Sequence, residues 1–121
     1  MKALALAVAV AAVLAGCGGS GGPSQPAGST KVTMTEFHFE PSNINVPAGK
    51  AVFYLVNAGA NSSHNMIIRD STGKRIAGST LVSVGDSTVF TVDNIAAGTY
   101  TIFCDQPGHE SSGMIGKLTV G

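Results

Sequence analysis

The stretch Tyr100–Gly116, YTIFCDQPGHESSGMIG, decides how the rest of the chain is read. It sets Cys104, His109 and Met114 on one short loop, with four residues between the first two and four between the last two. Two strand-like runs, Thr99–Cys104 and Gly116–Val120, flank that loop and pin both its ends. Alternate residues of a strand share a face, so Tyr100, Ile102 and Cys104 point the same way and the thiol is in phase with core positions. Met114, Leu118 and Val120 agree in parity on the return side. Pro107 and Gly108 supply the turn that brings His109 back toward Cys104.

A second histidine stands far upstream, in Asn61–Met66 (NSSHNM). His64, Met66 and Ile68 share one strand face, so His64 and Cys104 are both expected to point inward from strand ends and to meet at one pole of the fold. His38 is different: it lies between Phe37 and Phe39 and reads as a strand-surface residue. Glu36 and Glu40 read as solvated charges, and no paired-carboxylate chemistry follows from them.

Outward from the loop, short runs of Val, Ile, Thr and Phe alternate with Gly, Pro and Asn, the pattern of an all-β chain. Lys31–Phe39 is expected as a first strand and Ile44–Val46 as a short second one. Ala51–Asn57 (AVFYLVN) is apolar at both parities, which predicts a central strand covered on each face. Asn65–Arg69 and Ser87–Val92 are further strands. Turns fall at Glu40–Asn43, Pro47–Lys50, Asp70–Lys74 and Asp93–Gly98, and Ala58–Ser63 is a loop. Arg75–Val84 is expected to be irregular. Seven to eight short strands with frequent turns predict a Greek-key β-sandwich.

The chain has 121 residues, the size of one small domain, and its formal net charge is zero. It has no basic run, so binding to nucleic acid has no electrostatic basis. The N-terminus reads as a targeting segment. Lys2 precedes the apolar run Ala3–Leu14, which is too short to span a bilayer. Leu14-Ala15-Gly16-Cys17 follows directly and resembles a bacterial lipobox, in which the signal is cut before a cysteine that is then lipidated. Residues 1–16 are therefore expected to be a lipoprotein signal peptide, and Cys17 the lipid attachment point. Gly18–Thr30 (GGSGGPSQPAGST) completes a flexible tether over 17–30, with a folded domain over 31–121. The chain has two cysteines. If Cys17 carries lipid, Cys104 has no disulfide partner, and a lone thiol outside the cytoplasm is an oxidation hazard unless it is buried, reactive or bound to metal.

A thiolate, two imidazoles and a weak axial thioether are the donors of a blue-copper site. The stretch Phe103–Val120 resembles the copper loop of the cupredoxins, the plastocyanin, azurin and auracyanin class of small type 1 (blue) copper proteins. Ile44–Asn57 followed by Ser63-His64-Asn65 resembles their first half, and together these stretches cover most of Lys31–Gly121. The resemblance implies a Greek-key sandwich, one type 1 copper ion, one-electron transfer, and His64, Cys104, His109 and Met114 as ligands. The Cys104-to-His109 gap is longer than in plastocyanins and is similar to that of the longer-loop members. Ser63 stands where azurins have the glycine that offers an axial carbonyl, so four-coordinate copper is expected. Asn65 and the amides near Asp105 and Gln106 are natural hydrogen-bond partners around the thiolate.

The expected function is a membrane-tethered, extracytoplasmic electron carrier on the periplasmic or cell-surface side of a bacterial membrane. It would be monomeric and would dock redox proteins transiently near His109, over a rim of Pro107, Gly108, Met114, Ile115 and Ala58–Ala60. The alternative is a copper delivery or storage protein, which would favour exposed ligands and extra Met or His clusters that this chain lacks. A thiol enzyme with Cys104 as nucleophile and His109 as base would need an orienting third group, and none is recognisable. An adhesive sandwich is a weaker fourth reading.

Overall fold

A computed structural model describes residues 22–121. The expected signal segment, Cys17 and the first residues of the tether lie outside the described residues. Nine strands run in chain order: β1 (Thr30–Thr35), β2 (His38–Glu40), β3 (Asn43–Val46), β4 (Gly49–Asn57), β5 (Ile67–Arg69), β6 (Arg75–Gly78), β7 (Ser87–Ile95), β8 (Gly98–Phe103) and β9 (Ile115–Val120). They form two sheets, ordered β2-β1-β4-β7 and β3-β9-β8-β5-β6. The pairs β1/β4 and β3/β9 are parallel and the other pairs are antiparallel. This is the expected Greek-key sandwich. Val32, Met34, Phe39, Phe53, Leu55, Ile68, Ile102 and Leu118 interdigitate between the sheets with essentially no exposed surface. No helix among the described residues is long and apolar enough to cross a membrane.

Three expectations about the strands change. Lys31–Phe39 is not one strand: β1 stops at Thr35, the chain folds back at Glu36-Phe37, and β2 pairs antiparallel with β1, setting Met34 opposite Phe39. The reason is parity. An unbroken strand would carry Glu36 and His38 onto the face that buries Val32 and Met34, where a charge is costly. Folding back keeps both polar side chains out of the core and buries Phe39 completely.

Ala51–Asn57 is central within its sheet but buries one face only. Ala51, Phe53, Leu55 and Asn57 are buried, whereas Val52, Tyr54 and Val56 are half-buried. Part of the cover on that outer face comes from the tether. The Tyr54 hydroxyl donates to the Pro23 carbonyl at 2.9 Å and Ser87 Oγ to the same carbonyl at 3.0 Å. The described end of the tether is thus docked on the domain rather than free. Arg75–Val84 contains a real strand, β6, which pairs with β5 through a bulge. Beyond it Val82 forms an isolated bridge with His64. These additions raise the count to nine strands.

Candidate metal centre

His64 arrives at the pole of the sandwich in a backbone clamp. Its N–H donates to the Val82 carbonyl at 3.0 Å, and the Val82 N–H returns a bond to the His64 carbonyl at 2.8 Å. The loop before it is organised by Asn57, a buried polar residue at the end of β4. Asn57 Nδ2 donates to the carbonyls of Ser62 and Val82, each at 2.9 Å, and Asn57 Oδ1 accepts the Gly59 N–H at 2.9 Å. One buried amide therefore pairs the Gly59 N–H and the Ser62 carbonyl of the loop and gives the Val82 carbonyl, which already accepts from His64, a second donor.

Cys104 follows directly on β8, and Met114 directly precedes β9. The Cys104 N–H donates to the Met114 carbonyl at 3.2 Å, which closes the base of the loop. Within it, the His109 N–H donates to Gln106 O and the Met114 N–H to His109 O, both at 3.0 Å. Gly108 at φ 79° and Gly113 at φ 115° take the left-handed turns that this path requires. Asn65 joins the two segments that carry the candidate donors. Its Nδ2 donates to Asp105 Oδ1 at 2.6 Å, and Asp105 N–H donates back to Asn65 Oδ1 at 3.1 Å. Arg69 further braces the loop, pairing with Glu110 at 2.6 Å while its guanidinium lies 4.4 Å from the Phe103 ring centre.

The result brings three of the expected donors together. His64 Nδ1 lies 3.2 Å from His109 Nδ1, and Cys104 Sγ lies 3.5 Å from His109 Nδ1. Ligand atoms of His64, Cys104 and His109 all fall within 4.8 Å of one another, the one such group of three or more among the described residues. His64, Cys104 and Met114 are fully buried, and His109 is half-buried. Donors bound at about 2.0–2.3 Å to one metal stand roughly 3–4 Å apart, a range that holds the His64–His109 and Cys104–His109 separations. The donor chemistry also fits. Burial, then repulsion from His109, hold the His64 imidazole below its usual pKa, outweighing the opposite pull of Glu36. A neutral imidazole beside a second imidazole and a buried thiol suits a soft metal ion.

Two neighbours escaped the sequence reading. Glu36 is not a solvated charge: its carboxylate accepts from the amides of Ala60, Asn61 and Ser62 at 2.9–3.1 Å. Those bonds lower its pKa to about 2. Phe37 makes an edge-on contact with the His109 ring, centroids 4.8 Å apart, while leaving 37% of its surface exposed. Met114 and Gly59, by contrast, are buried and contribute nothing to an exposed rim. The Met114 side chain turns inward because it is in phase with Leu118 and Val120. His38 is at the surface as expected, 3.2 Å from Glu40.

Residues 26–121 match the family described as copper binding proteins, plastocyanin/azurin family. The chain is 29% identical to plastocyanin from Sambucus nigra over 89 residues, covering 68% of this chain and 86% of that protein. It is 33% identical to chloroplastic plastocyanin from Fritillaria agrestis over 89 residues, 68% of this chain and 51% of that one. Among solved structures, auracyanin A, a "blue" copper protein from Chloroflexus aurantiacus, superposes with a TM-score of 0.66 at 24% identity, covering 78% of this chain and all (100%) of that one. The azurin iso-2 of Methylomonas sp. strain J superposes with a TM-score of 0.68 at 20% identity, over 79% and 99% of the two chains.

Proposed function

Because the chain belongs to the plastocyanin/azurin family of copper-binding proteins and its His-Cys-His site is that of one type 1 copper, we propose that it is a blue-copper electron carrier in which His64, Cys104 and His109 would hold the ion and Met114 would serve as a weaker fourth donor. The observation that carries this reading is the convergence of the His64, Cys104 and His109 donor atoms within 4.8 Å beside a fully buried Met114. Bound copper supplies a one-electron Cu(I)/Cu(II) couple. The protein holds the donors on strand ends and in a hydrogen-bonded loop, so little geometric change accompanies a change of oxidation state. His109 is the half-buried donor, and its ring edge is the route by which an electron enters or leaves.

Ligand burial favours a carrier over copper delivery or storage, which calls for exchangeable, exposed ligands. The fully buried Cys104 thiol is likewise closed to a substrate. Phe37, Pro107, Gly108 and Ile115, with the exposed Ala58 and Ala60, form the surface on which transient redox partners dock as the monomer meets them. Lipid on Cys17 tethers the domain on the extracytoplasmic side of the membrane. Six peptide steps separate Cys17 from the docked Pro23, at most about 22 Å of chain even fully extended. The sandwich is thereby held close to the bilayer.

Oxidised, copper-loaded protein should show an intense visible thiolate-to-Cu(II) band and a small hyperfine splitting, and Cys104→Ser should lose both. The same band in the serine variant would remove Cys104 from the site. Mass spectrometry of membrane-extracted protein should find an acylated fragment beginning at Cys17. A different, unmodified terminus on wholly soluble protein would sink the tethered reading while leaving the copper site intact.

A further inference from the structure

Nε2 of His64 has no hydrogen-bond partner, the one fully buried side-chain polar atom in that state among the described residues. The nearest acceptor is Glu36 Oε1 at 3.5 Å, longer than a well-formed hydrogen bond. The same carboxylate is held from the other side by three consecutive amides. Oε2 accepts from Ala60 N–H, and Oε1 from Asn61 and Ser62 N–H. Room for it is made by Gly59, where a Cβ would stand 2.6 Å from Oε1 and 2.8 Å from Oε2. Metal-bound histidines commonly give their second ring N–H to a carboxylate, which sets the tautomer and the ring plane.

We propose that Glu36 is a positioning residue for His64: its carboxylate, locked by the 60–62 amides, takes the Nε2–H and so turns Nδ1 toward Cys104 and His109. This rests on the reading of His64 as a ligand. Glu36 also places a fixed negative charge behind one ligand, which favours Cu(II) over Cu(I). Gly59 belongs to the same device, since only a residue without a side chain leaves the carboxylate its seat.

The test compares wild type with Glu36→Gln and Gly59→Ala. The first removes the charge. The second keeps the carboxylate and pushes it off its seat, at a position whose backbone needs no positive φ. Copper-free and Cu(I) protein are diamagnetic, so NMR reads the His64 Hε2 proton directly. It should be present and slow to exchange in wild type, and lost to rapid exchange in Gly59→Ala. The reduction potential should rise in both variants, and copper affinity should fall about 10–100-fold, the usual cost of losing such a partner. A mere loop brace would lower thermal stability and leave the Hε2 signal and the potential at wild-type values, and that result overturns the proposal. His64→Ala separates the two layers. If it loses copper while both other variants keep the wild-type signal and potential, only the role of Glu36 falls. If it retains copper, the ligand reading falls and this inference with it.

Discussion

His64 and His109 face each other across 3.2 Å, yet the fold holds them in opposite ways. His64 is fully buried and is held from outside its own segment: Val82 through a two-way bridge, Asn57 at the end of β4 through the preceding loop, with the Glu36 carboxylate behind the ring. His109 is half-buried and is held mostly by its own loop, through Gln106 and Met114, with the edge of Phe37 against its ring. One side of the site is core, therefore, and the other is surface. A carrier needs this asymmetry. On the proposed reading, the core side would set the geometry that both oxidation states share, and the surface side would let an electron out without opening the site.

The largest blow to that division should come from Asn57→Ala. It removes one acceptor and two donors in a buried place, leaving the Gly59 amide and the Ser62 carbonyl without their side-chain partner and weakening the hold on Val82. Buried groups deprived of partners cost about 1–3 kcal/mol each, and partial relaxation brings the expected loss to about 2–4 kcal/mol. Denaturant midpoints of the copper-free protein measure it. A loss below about 0.5 kcal/mol would mean that the loop before His64 does not depend on the core.

Met114 sharpens the comparison, because it lies in the surface loop but is buried like His64. Met114→Leu should raise the reduction potential, since a weaker axial donor stabilises Cu(II) less. Met114→Gln should lower it through an oxygen donor. Both should retain copper. Voltammetry decides the matter: unchanged potentials in both would make Met114 packing only.

The smallest effect should come from a turn far along β5 from His64. Asp70 Oδ1 accepts from Thr72 Oγ1 at 2.6 Å, Thr72 N–H at 2.9 Å and Lys74 N–H at 3.0 Å. The Thr72 hydroxyl first, and the Lys74 amide next, hold its carboxyl below the usual 3.8. A carboxyl depressed in the folded state contributes stability that is fully present above its ordinary value and declines as the pH falls below it. Asp70→Asn should flatten that acid limb of the stability curve slightly and leave colour and potential as in wild type. A shifted potential would show that the site is coupled to the whole sandwich and not only to its own pole.

The sequence by itself determined the fold and pointed to the candidate donors. Cys104, His109 and Met114 are close in the chain, so their spacing, the flanking strands and strand parity are visible in one short loop. Alternation of apolar residues made the sandwich legible for the same reason, since period two is a local property. Only the tertiary structure decided what surrounds the donors. Glu36 reaches amides 24–26 positions away, Asn57 bonds a carbonyl 25 positions on, and Phe37 leans on His109. Such contacts leave no period in the sequence. Glu36 in particular reads as an ordinary surface charge until the chain turns back at Glu36-Phe37, and that turn is set by which side chains the opposite sheet will accept. Local spacing picks out candidate ligands because one loop carries three of them. Their orientation depends on packing between segments that meet only when the two sheets close on each other.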